Sequence, residues 1–145
     1  MKRLPHVAIL LMVVALVAAD KGEKKKSDAE KIQGKWTVAE VYLKGKKQGD
    51  MVGDPVTFSG KKMIVARKGQ DRKTEHAFEL RPDKKPREMD IIFKGGGEEA
   101  TALAIYELSG DTLKICLAKP GKERPKALGT APDDDRALMV FKRVY

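Results

Sequence analysis

The feature that most constrains the fold is the stretch from Thr101 to Ala118, TALAIYELSGDTLKICLA, in which apolar and polar residues alternate on both sides of Ser109-Gly110-Asp111. Alternation with a period of two places successive side chains on opposite faces of a strand. Glycine between short polar residues supplies the dihedrals of a tight turn. The stretch predicts a hairpin of two strands, Thr101–Leu108 and Thr112–Ala118. An even number of turn residues puts Ala104, Tyr106, Leu108, Leu113, Ile115 and Leu117 on one face. A four-residue turn also sets Glu107 opposite Lys114, a favourable cross-strand pair. Cys116 falls on the other face.

The rest of the chain repeats this pattern. Ser27 followed by Glu30 is a capping box, opening a short helix that Gly34 ends and Ile32 anchors. Gly34-Lys35-Trp36 begins the first strand. Alternation at Trp36 and Val38 changes parity at Val41 and Leu43, which predicts a bulge near Ala39 or Glu40. Further strands are marked by Val56 and Phe58, by Met63 and Val65, by His76, Phe78 and Leu80, and by Met89, Ile91 and Phe93. The last runs from Ala137 to Arg143. Asp50 to Pro55, Arg81 to Arg87 and Lys119 to Asp135 read as loops. About eight short strands, one short helix and no long stretch of 3.6-residue period predict an all-β, up-and-down barrel of about eight antiparallel strands. It forms a single domain over residues 27–145, in which the first and last strands pair and remove both edges.

The first nineteen residues are predicted to stand apart from this domain. Lys2 and Arg3 precede an eleven-residue apolar run, Val7 to Val17, and Val17-Ala18-Ala19 is a small-residue cleavage site. That order is a secretory signal peptide, over residues 1–19, for a periplasmic or secreted protein. Val7 to Ala19 gives thirteen apolar residues, whereas a membrane span needs about 20. Residues 20–26, DKGEKKK, are a charged, flexible tail. The net charge is +9, and removal of Lys2 and Arg3 leaves +7. Such a balance permits attraction to polyanions without demanding it. A single cysteine, Cys116, excludes an intramolecular disulfide. It reads as a small packed apolar residue, or else as a thiol for intermolecular pairing.

Few residues could carry chemistry. His76 is the one histidine beyond the signal segment, and no Gly-x-Ser-x-Gly elbow accompanies it. It reads as a hydrogen-bonded structural histidine. One histidine and one cysteine make a poor zinc site. Asp133-Asp134-Asp135 lacks the alternate spacing of a calcium loop and reads as a solvated turn. Gly95-Gly96-Gly97 lacks the rest of a phosphate-binding motif. The expectation is a non-catalytic monomer with no metal and no cofactor. No platform of interleaved basic and aromatic residues suggests nucleic acid.

Two candidate binding surfaces remain. Inside, Trp36, Phe58, Phe78 and Tyr106 are the candidate pocket residues for a small apolar ligand, with plain core as the competing reading. An eight-stranded barrel is just wide enough to be filled by side chains or to admit one small ligand. A carrier calls for at least ~300 Å³, and the bulky inward positions predict less. Outside, Lys119, Lys122, Arg124 and Lys126 form a basic cluster in a loop stiffened by Pro120 and Pro125. They are the candidate surface for an anionic envelope polymer or a partner protein. The competing readings are a solvated loop and a local Glu123–Arg124 pair.

A short helix followed by Gly34-x-Trp36 resembles the lipocalin signature. In lipocalins the tryptophan closes the barrel floor, and an arginine after the last strand packs across its ring, a role that Arg143 or Lys142 matches here. IQGKWTVAEV, IYELSGDTLKICLAKPGKERP and the closing LMVFKR together resemble an uncharacterised lipocalin-like domain family known mainly from planctomycete bacteria. The resemblance covers nearly all of Ala29 to Arg143. It implies a small barrel and no particular activity.

Overall fold

The computed structural model describes residues 26–145 apart from Gly96. The expected signal peptide, and all of the charged tail but Lys26, lie outside the described residues. The elements are α1 (Asp28–Lys31), β1 (Gly34–Leu43), β2 (Lys46–Gln48), β3 (Pro55–Ser59), β4 (Lys62–Ala66), β5 (Lys73–Arg81), β6 (Glu88–Gly95), β7 (Glu98–Ser109), β8 (Thr112–Leu117) and β9 (Ala137–Arg143). Among the described residues no helix is long and apolar enough to cross a membrane.

The sheet runs from β1 through β3, β4, β5, β6, β7, β8 and β9, and β9 returns to pair with β1. All these pairs are antiparallel, so eight strands close a barrel in meander order. The ninth strand, β2, extends the edge of β1 beyond β3 by pairing with Val41, Tyr42 and Leu43. The sequence pattern names no strand there. Lys44 and Gly45 both take positive φ, 51° and 76°, and such a two-residue turn forces the polar segment back along β1.

The expected hairpin forms between β7 and β8. Ser109 pairs with Thr112 and Glu107 with Lys114. Gly110 turns the chain with φ 57°, a conformation that costs other residues a clash at Cβ. The expected bulge is also present: between β1 and β9 the register slips between Val38 and Glu40. The slip keeps Trp36, Val38 and Val41 all inward, at 0%, 1% and 2% exposure.

One end of the barrel is plugged. Ser27 caps α1, its Oγ accepting from the Glu30 amide at 3.3 Å. Ile32 and Trp36 are fully buried, and Trp36 Nε1 donates to the Ile32 carbonyl at 2.8 Å. The Arg143 guanidinium lies 4.2 Å above the indole ring, and its Nη1 donates to the Gln33 carbonyl at 3.0 Å. Gly34 takes φ 116°, a backbone conformation that favours glycine, and lies beside that nitrogen. The Gln33 amide clasps the β3–β4 turn, accepting from Gly60 N at 2.7 Å and donating to Gly60 O at 3.0 Å. Phe58 and Phe78 meet edge to face at 5.2 Å in the core beside this plug. Asp28 is also buried, accepting from Tyr106 Oη at 2.7 Å and from Arg87 Nη1 at 3.0 Å. Burial, together with the Asp28 carboxylate, pushes the Tyr106 hydroxyl far above its ordinary pKa.

Candidate functional site

At the other end the barrel is not filled. A cavity of about 250 Å³ lies there, smaller than the ~300 Å³ lower end of known ligand sites. Val38, Val56, Val65, Ile91 and Ile115 supply aliphatic wall. Met51, Met63 and Met139 add three unbranched side chains, which adapt to irregular shapes. Phe93 and His76, side by side on β6 and β5, pack edge to face in its wall with ring centroids 4.6 Å apart. His76 is the single polar side chain in the lining, and no charged residue contributes.

Met51 comes not from a strand but from the loop before β3, and that loop is fixed in place. Asp54 is completely buried. Its Oδ1 accepts from the Lys68 amide at 3.0 Å, and Arg67 Nε lies 3.5 Å from its Oδ2. Lys68 Nζ donates to the Val52 carbonyl at 2.8 Å, and Gly53 N donates to the Val38 carbonyl at 2.8 Å. These bonds join the loops before β3 and after β4 and hold Met51 at the cavity.

The Nδ1 of His76 is enclosed and has no hydrogen-bond partner among the described residues. The expected hydrogen-bonded structural histidine is therefore not found. Its directly opposed cross-strand neighbour is Met63, whose thioether is only a weak acceptor. Burial disfavours the charged imidazolium and lowers the His76 pKa below its ordinary value.

The four candidate interior aromatics all point inward: Trp36, Phe58, Phe78 and Tyr106 are 0–4% exposed. None of them lines the cavity. They fill the plugged half as core, and the cavity falls to other residues, chiefly aliphatic side chains and methionines, at the open half. Strand parity tells inside from outside but not height along the barrel axis, which depends on register. Methionines at Met51 and Met139 were the signal that sequence reading passed over.

The basic cluster divides. Lys119, Lys122 and Lys126 are exposed, and Lys119 approaches Asp135 at 3.8 Å. Arg124 does not point outward with them. Its Nη1 donates to the Ala104 carbonyl at 2.8 Å and to the Met89 carbonyl at 3.3 Å. Its Nη2 lies 2.8 Å from Asp90 Oδ1, an ion pair outside hydrogen-bond alignment. Glu88 is 3.6 Å from its Nε. Arg81 grips Asp90 from the other side at 2.6 Å. Burial alone would raise the Asp90 pKa, but the Arg81 bond and the Arg124 charge beside it outweigh burial and hold the carboxyl below the usual range. The local Glu123–Arg124 pair does not form; Arg124 ties the loop to the barrel wall. Beneath that loop Ile105, Cys116 and Ala118 are 0–2% exposed on the outer face.

Asp134 turns to Arg136, accepting from its amide at 3.1 Å and from its guanidinium. Among the described residues no three His, Cys, Asp or Glu side chains gather as metal ligands.

The architecture defines a closed antiparallel barrel with one plugged and one hollow end. No family model matches the chain, and no curated protein matches it. Among solved structures it is similar to a DUF4909 family protein from Staphylococcus aureus subsp. aureus Mu50, with 10% identity and a TM-score of 0.44. The alignment covers 77% of this chain and 97% of that one.

Proposed function

We propose that this chain is an exported, non-catalytic binding protein whose barrel holds one small apolar molecule at its hollow end. The observation that carries this reading is the cavity of about 250 Å³, apolar but for His76. An apolar cavity of ~150 Å³ takes benzene, so the space suits a substituted ring or a short hydrocarbon rather than a drug-sized ligand. Three methionines in the lining support adaptable packing around such a guest. The N-terminal apolar run, and the resemblance to exported lipocalin-like domains, support export. The alternative, docking on anionic polymers, draws less support: Arg124 is spent on the barrel wall, and Lys119 has an acidic neighbour.

The test is calorimetric titration with p-cymene, a neutral alkylbenzene. We expect one binding event per chain in the unaltered protein. In Val65→Phe, which fills the cavity from β4, affinity should fall at least tenfold. Absence of binding to the unaltered chain, or unchanged affinity in Val65→Phe, would sink the proposal.

A further inference from the structure

Resting on that reading of the cavity, we infer that His76 is a polar anchor and that the ligand is a neutral molecule with one hydroxyl on an apolar body, of the alkylphenol or short alcohol class. The argument begins from Nδ1, enclosed and without a partner among the described residues. Buried polar atoms without partners are uncommon in folded proteins, and each calls for an explanation. This one belongs to the single polar residue of a cavity large enough for a guest.

The chemistry of the guest follows from what surrounds it. A neutral imidazole nitrogen donates in one tautomer and accepts in the other. A hydroxyl does both, so it can pair with the imidazole whichever tautomer His76 adopts. A carboxylate only accepts, and it would bring a charge into a lining that contains no Lys or Arg. An ammonium would meet no Asp or Glu there. One anchor means one polar group: a second hydroxyl would lie against methionine, valine or isoleucine and lose its bonds to water. Phe93, packed against the imidazole at 4.6 Å, fixes the ring and leaves the apolar body of the guest to fill the remaining space.

The experiment compares thymol with p-cymene, which differs from it by the hydroxyl alone, and with 4-isopropylbenzoate. In the unaltered chain thymol should bind about tenfold more tightly than p-cymene, the value of one good hydrogen bond. The benzoate should bind more weakly than either. In His76→Phe the thymol preference should vanish while p-cymene still binds. A second readout needs no variant: the ring ¹⁵N resonance of His76 should shift with thymol and stay in place with p-cymene. Equal binding of thymol and p-cymene to the unaltered chain, or a preference that survives in His76→Phe, would overturn the anchor and leave the cavity reading standing. Failure of all three probes to bind would remove the cavity reading itself.

Discussion

Arg124→Ala should loosen the loop from Lys119 to Asp135 and make Cys116 reactive. In the folded chain the thiol is fully buried under that loop, with a weak contact to the Gly129 carbonyl at 3.5 Å. Burial pushes its pKa up, so little thiolate is present to react. Arg124 makes two hydrogen bonds to strand carbonyls and an ion pair with Asp90. Hydrogen bonds to charged groups contribute about 1.5–3 kcal/mol each. They are not additive within one network, and the Arg124 side chain is 20% exposed, so about 2–3 kcal/mol is a fair total. Asp90 keeps Arg81 as a partner, so its carboxylate is not stranded. If reclosing outpaces modification, the labelling rate follows the population of the opened loop. A loss of 2–3 kcal/mol then raises that rate about 30- to 150-fold. The assay is native-state labelling of Cys116 with a chromogenic disulfide reagent, with Lys122→Ala as the control from the exposed side of the same loop. Labelling of Arg124→Ala within twofold of the unaltered protein would refute the idea that this arginine holds the loop down.

Two further outcomes are expected. Trp36→Ala should lower the unfolding free energy by about 3–5 kcal/mol, because it removes a wholly buried ring together with the seat of Arg143; a loss under about 1 kcal/mol in urea denaturation would contradict the plug. Acidification from pH 7.5 to 5 should destabilise the fold through His76, whose folded pKa burial depresses below the ordinary histidine value of about 6.5. The unfolded chain then takes up the proton first, so this contribution is intact above about pH 6.5 and is lost as the pH falls toward the folded pKa. His76→Phe should flatten the slope, and equal stability of the unaltered protein at both pH values would count against it.

Much of the barrel was legible because its information is local. Alternation around Ser109-Gly110-Asp111 marked the β7–β8 pair, and a parity change marked the bulge after Val38. The resemblance of Gly34-x-Trp36 to the lipocalin signature, with Arg143 or Lys142 as the cation, pointed to the plug. What was not legible depends on segments distant in the chain. Ile105 and Cys116 alternate onto an outward face, and nothing nearby says that the loop after β8 folds back to cover it. Arg124 sits among exposed lysines in sequence but faces Asp90 and Ala104 in space. Strand β2 contains only lysine and glutamine, so no apolar pattern announced it. A small interior was anticipated, but its lining was not: Met51 reaches it from a loop, and the absence of a partner for His76 among the described residues is a property of three dimensions.

The seam between β1 and β9 also determines when the barrel can exist. From β3 onward each strand is antiparallel to the next in sequence, and such pairs can form early as local hairpins. The bond from Arg143 to Gln33 spans 110 positions, so closing the seam carries the loop entropy of most of the chain. A growing chain still lacking Ala137–Arg143 has open edges at β1 and β8 and nothing above Trp36. Closure is then a late, single step that completes the plug and abolishes both edges together. Until that step the hollow end has no continuous wall. It is completed by the final seven residues of sheet, not gradually as the hairpins accumulate.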